Sequence, residues 1–149
     1  MRINNCSNSE IHVRFYLMEK SYKFHVKIYY EDTDAGGVVY YANYLKFTER
    51  ARSEMIYKVL GLKHKDLKEK FNVIFVVTAI NAKYIKSAKF EDNITVITNI
   101  LKSSAVRLTL KQDIKIKDTL LFTSEVELAV VKENGSVQKL PKELLSKIN

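Results

Sequence analysis

From residue 22 the chain alternates. Phe24, Val26, Ile28 and Tyr30 interleave with Lys23, His25, Lys27 and Tyr29, the period of two that a half-buried strand shows. The segment 31–37, Glu-Asp-Thr-Asp-Ala-Gly-Gly, then supplies turn chemistry, its paired glycines free to take positive φ. Beyond it the period changes. Phe47, Ala51, Met55 and Val59 recur every four positions, with Tyr44 and Leu45 extending the stripe and Lys46, Glu49, Arg50, Arg52 and Glu54 on the remaining faces. This predicts one long amphipathic helix, with Asn43 as its cap and Gly61 at its left-handed end. A short helical turn over 64–70 follows. Four runs rich in Val, Ile, Thr and Phe come next, at 73–86, 93–102, 105–117 and 120–132. Their polar breaks are short, which predicts that consecutive strands are antiparallel hairpin neighbours. A tight turn at 133–136 leads to Pro141, placed to open a final helix at its first position. Residues 1–21 show no clean period and read as an N-terminal extension of unclear structure, so the expected domain is 22–149.

Strand, long helix, then four strands is an α+β order. A single helix must bury its stripe against the apolar face of the sheet. Two arrangements do this: a strongly curved antiparallel sheet wrapped around the helix, or a flat two-layer sandwich with the helix outside. Exposed edge strands in either favour pairing between chains, so a homodimer is expected.

Composition narrows the class. A chain of 149 residues suits one domain with its own core. The single cysteine, Cys6, excludes an internal disulfide, and His12, His25 and His64 are too scattered for zinc spacing, so no metal is expected. The longest apolar run, 73–80, is far short of a membrane span and already contains Thr78. The first residues lack the apolar stretch of a signal peptide. The expectation is a soluble, cytoplasmic protein. Net charge is +8, of which residues 61–149 carry +6. A basic half invites a polyanion, but lysines interleaved with apolar residues, without a nucleic-acid-binding motif, argue against nucleic acid.

Candidate chemistry concentrates in one place. Five of the nine tyrosines lie between Tyr29 and Tyr44, bracketing Glu31, Asp32, Asp34 and the Gly36–Gly37 pair. Carboxylates past a strand end, a glycine turn and a helix start can form an acyl-transfer site. Unpaired N–H groups at the helix start can bind a carbonyl oxygen while a carboxylate attacks the carbon or activates water. The plainer alternative is that the acids cap the helix and the glycines only turn the chain.

The run Tyr30-Glu31-Asp32-Thr33-Asp34-Ala35-Gly36-Gly37-Val38-Val39-Tyr40-Tyr41-Ala42-Asn43-Tyr44, continued by Phe47, Glu49, Arg50, Ala51, Arg52, Glu54 and Met55, resembles the YbgC-type acyl-CoA thioesterases. These belong to the 4-hydroxybenzoyl-CoA thioesterase branch of the hotdog superfamily. The resemblance extends more loosely over 22–141. It implies the hotdog fold, a curved antiparallel sheet around one long central helix, and hydrolysis of a fatty or aromatic acyl-CoA to free acid and coenzyme A. It implies Asp34 as nucleophile or general base, and the backbone N–H of Tyr41 as the group polarising the thioester carbonyl. Gly36 and Gly37 would let the backbone approach the substrate, and Tyr40 and Tyr44 would shape the site with Asp32. It implies no cofactor beyond the coenzyme A of the substrate. A homodimer or a dimer-of-dimers tetramer follows from it, with active sites near the shared interface. The family often carries His where this chain has Tyr41, which keeps the backbone donor but removes an imidazole. A proline common in the family before the strand at 93 is absent from 86–92.

Thr78 is a candidate to face the acyl chain. Lys89, with Lys83, Lys86, Lys102, Arg107 and Lys111, is a candidate for the phosphates of coenzyme A. The second reading of the same fold is a non-hydrolytic protein that binds acyl-CoA or an acyl carrier protein within an envelope or lipid-synthesis complex.

Overall fold

The structure, a computed structural model, describes residues 21–149, so Cys6, His12 and all but the last residue of the expected 1–21 extension lie outside it. The elements are β1 (Ser21–Lys27), α1 (Asn43–Leu60), α2 (His64–Phe71), β2 (Ile74–Tyr84), β3 (Asn93–Ser103), β4 (Arg107–Ile116), β5 (Thr119–Val131) and α3 (Lys142–Ile148). The five strands form one antiparallel sheet in the order β1-β3-β4-β5-β2. It curves around α1, the hotdog arrangement, and not the sandwich with an outer helix.

The hairpin rule holds for β3-β4-β5 and fails for β2 and β3, which lie on opposite sides of that pair of hairpins. The segment between them crosses three strand spacings, about 14 Å. Its eight residues reach farther than that when extended, at up to about 3.5 Å each. A short break therefore does not by itself make neighbours. β2 becomes one edge of the sheet and β1 the other.

Alternation along β3, β4 and β5 points Val96, Leu110, Ile114, Phe122, Val126 and their row-mates inward onto the buried stripe of α1. The helix ends as its sequence suggests, with Gly61 at φ 69° and its N–H bonded to Tyr57 O. Three expectations are corrected. Asn43 is the first helical residue and no cap: its side-chain amide donates to Asp32 O at 2.9 Å, tying the helix start to the preceding turn. Pro141 sits just before the first turn of α3, one position earlier than expected. Arg52 does not join the charged outer face.

Arg52 instead turns inward, where its Nη1 donates to Gln112 Oε1 at 2.9 Å. Gln112, fully buried on β4, donates its own amide to Thr48 O and Thr98 Oγ1, both at 2.9 Å. Register sets Thr98, Gln112 and Ser124 side by side on three adjacent strands. Together with Thr48 and Arg52 they form a polar belt between helix and sheet. It separates a cluster around Tyr44, Phe47, Ile114 and Phe122 from one around Met55, Leu60, Leu110 and Val126. Desolvation holds the Arg52 guanidinium below its ordinary pKa, partly offset by Glu49.

Candidate active site

The segment between β1 and α1 is folded by its own polar groups. β1 stops at Lys27, short of the alternation's end, because Tyr30–Asp32 closes into a 3-10 turn. Within that turn the Asp32 carboxylate accepts from Tyr29 N–H at 2.9 Å and Thr33 Oγ1 donates to Tyr30 O at 2.8 Å. The backbone carbonyl of Asp32 then accepts from Tyr40 N–H at 2.9 Å as well as from Asn43. Asp32 is thus a structural knot. Asp34 begins a second turn: its N–H donates to Val38 O at 2.9 Å and its C=O accepts from Gly37 N–H at 3.0 Å. Gly37 has φ 75°, a conformation that side chains resist. Gly36 matters for a different reason: a Cβ there would lie 3.1 Å from Asp34 Oδ1, so the carboxylate would have to shift to make room.

That Oδ1 accepts from Gly36 N–H at 2.8 Å, which orients the carboxylate while leaving it solvent-facing. The chain returns past Val39, whose N–H donates to Ala88 O, and reaches the helix through a turn in which Asn43 N–H donates to Tyr40 O at 2.9 Å. This bond fixes the peptide plane that carries the Tyr41 N–H. The Tyr41 N–H itself has no hydrogen-bond acceptor among the described residues, as expected of an amide just before the first helical turn.

Asp34 and Tyr41 line one cavity of about 310 Å³, together with Tyr40, Tyr44, Tyr84 and Lys86 among others. Tyr44 is buried, stacks on Phe122 with centroids 5.4 Å apart, and accepts from Ala88 N–H at 2.9 Å. Burial raises its phenol pKa, partly countered by that N–H, and burial likewise raises that of Tyr84. Hydrogen bonding to the Tyr41 side chain raises that of Tyr40. All three remain neutral donors well above pH 7.

Of the residues singled out by sequence, Asp34, Tyr40, Tyr41 and Tyr44 come together at this cavity, with Gly36 and Gly37 shaping the turn that holds Asp34. Lys89 lies beside it, its backbone bridged to Val38. Lys86 is in the wall, whereas Arg107 and Lys111 lie near the carboxylates of Glu127 and Asp113. Thr78 does not line the cavity; it sits at a register shift in β2 with its hydroxyl donating to Glu127 O at 3.3 Å. Sequence reasoning missed Tyr84. Its signal was faint: it is the only tyrosine in the four strand runs that follow the helix. Among the described residues no cluster of His, Cys, Asp or Glu is disposed to hold a metal, and no helix is long and apolar enough to cross a membrane.

This fold and this helix-start site define a class, and comparison with known proteins names it. The thioesterase superfamily model matches residues 36–123, and the chain belongs to that superfamily. It is 35% identical over 115 residues to the acyl-CoA thioesterase YbgC of Haemophilus influenzae, covering 77% of this chain and 84% of the relative. It is 36% identical over 115 residues to the acyl-CoA thioester hydrolase YbgC of Escherichia coli, covering 74% and 81%. Among solved structures, a probable thioesterase from Bartonella henselae superposes with a TM-score of 0.77 at 31% identity, covering 81% of this chain and 99% of that one. The protein is accordingly an enzyme of the acyl-CoA thioester hydrolase type.

Proposed function

We propose that the protein hydrolyses a fatty or aromatic acyl-CoA, with Asp34 as nucleophile or general base and the Tyr41 N–H polarising the thioester carbonyl. The observation that carries this reading is that Asp34, with its oriented, solvent-facing carboxylate, and Tyr41, with its unpartnered N–H, line the same cavity. In the general-base route, Asp34 takes a proton from water as its oxygen bonds to the carbonyl carbon. The oxyanion forms against the Tyr41 N–H. Collapse breaks the carbon–sulfur bond, and the coenzyme A thiolate leaves and is protonated. In the nucleophilic route the Asp34 oxygen bonds first, the thiolate leaves from an acyl-aspartyl anhydride, and water then splits that anhydride. Lys86 and Lys89 at the rim suit the phosphates of coenzyme A. Purified protein is expected to release free thiol, read with a thiol reagent, from acyl-CoAs spanning short, long and aromatic acyl groups. Binding of all of them without thiol release would instead establish the non-hydrolytic reading.

The same reading includes a homodimer paired along β2. This edge strand is 11 residues long and leaves Val76, Val77 and Ile80 exposed, an edge that another copy can extend. Light scattering is expected to give about twice the 17.3 kDa chain mass, or a multiple of that dimer. A monomer at micromolar concentration would refute the pairing.

A further inference from the structure

Resting on the Asp34–Tyr41 reading, we propose that Tyr84 is a positioning residue for the reaction, its hydroxyl holding the Tyr41 carbonyl so that the carbonyl-binding amide stays aimed into the cavity.

Tyr41 has two backbone groups at the start of α1, and the helix takes neither. The first carbonyl that the helix ladder uses is that of its cap residue, Ala42, so the carbonyl of residue 41 falls outside the ladder. Leu45 N–H bonds to Ala42 O at 3.2 Å, and no backbone N–H among the described residues reaches the Tyr41 carbonyl. Tyr84, the last residue of β2 and 43 positions away, donates its hydroxyl to that carbonyl at 3.1 Å. The residue is therefore clamped from both sides. Asn43 N–H on Tyr40 O fixes the peptide plane before Tyr41, and Tyr84 Oη–H on Tyr41 O fixes the plane after it. The unpartnered Tyr41 N–H lies in the first of these planes, which joins the second at the Tyr41 Cα.

The ring of Tyr84 is itself held. It packs edge-on against Tyr44 at 5.6 Å and Phe122 at 5.1 Å between centroids, and both partners are buried. It also meets the Tyr41 ring edge-on at 6.2 Å. A hydroxyl carried on a rigid strand end and a packed ring is a precise anchor for a turn that otherwise has exposed side chains on it, Tyr41 being 61% exposed. Losing such an anchor leaves Tyr41 tethered only through the preceding peptide, so the whole residue, its N–H included, is free to shift with the turn. Small misplacement of an oxyanion donor is costly in the transition state and nearly without effect on ground-state binding.

The test is Tyr84→Phe, which removes one oxygen and keeps the ring packing, beside Tyr84→Ala and Asp34→Asn. Steady-state thiol release should show kcat about tenfold lower in Tyr84→Phe with KM within about twofold of wild type. Tyr84→Ala should lower kcat similarly and also raise KM, because the cavity loses a wall. Wild-type kcat in Tyr84→Phe, or a loss confined to KM or to thermal stability, overturns the proposal and leaves Tyr84 as packing. The underlying reading fails separately: if Asp34→Asn keeps wild-type activity, or wild type releases no thiol, the site is misassigned and the role of Tyr84 falls with it.

Discussion

Asp34→Asn is expected to lower kcat by about 10³-fold, within the range typical of losing a general base or nucleophile. It should leave the unfolding free energy within about 0.5 kcal/mol of wild type, as for an exposed substitution that keeps its local bond. The two expectations have one structural source. Asn retains an oxygen to accept from Gly36 N–H, so the turn over Asp34–Gly37 has no reason to reopen. What it loses is the charge, and with it any capacity to take a proton or attack a carbonyl. Thiol release and urea unfolding on the same preparations separate the effects. Activity retained within a few-fold would move the chemistry to another group, and a large loss of stability would mean that the carboxylate is structural.

Phe122→Ala is expected to cost about 3–5 kcal/mol of stability, the range for emptying a fully buried aromatic position. Phe122 lies on the inner row of β5 beside Ile114, stacks on Tyr44 and takes the edge of Tyr84. Its removal leaves a void beneath two walls of the cavity, so KM should rise in whatever fraction remains folded. Denaturant midpoints with an unchanged slope establish the stability term. A loss below about 1 kcal/mol would mean that the surrounding rings collapse into the space.

The parts of the site that are close in sequence were legible in it. Asp34, the Gly36–Gly37 pair and Tyr41 lie within eight consecutive positions, so strand end, turn and helix start could be aligned without knowing the sheet. The inner strands were legible because β3, β4 and β5 each have one dry face and alternate accordingly. What could not be read depends on strand order. Tyr84 meets Tyr41 only because the chain crosses from one edge of the sheet to the far hairpins after β2, a path that a short break does not announce. Arg52 reads as one more surface charge until Gln112 is known to lie opposite it. The available hint was Gln112 itself, a polar residue in an inward row with Leu108, Leu110 and Ile114. Asn43 has the chemistry of a cap, yet Asp32 O offers its amide a nearer partner.

The position of β1 also bears on how the enzyme comes into being. β1 touches the sheet only through β3, and its partners are remote along the chain: Lys27 pairs with Asn93 and Ser21 with Asn99. The β3-β4-β5 hairpins, by contrast, close over short loops. Long loops close late and slowly, so β1 is expected to be the last strand to dock during folding. The turn that holds Asp34 closes on its own local bonds, but it hangs between β1 and α1, so its place beside the cavity is set only once β1 has docked. A chain that has built most of its core thus still lacks a working carboxylate, and the return of thiol release during refolding times that final step.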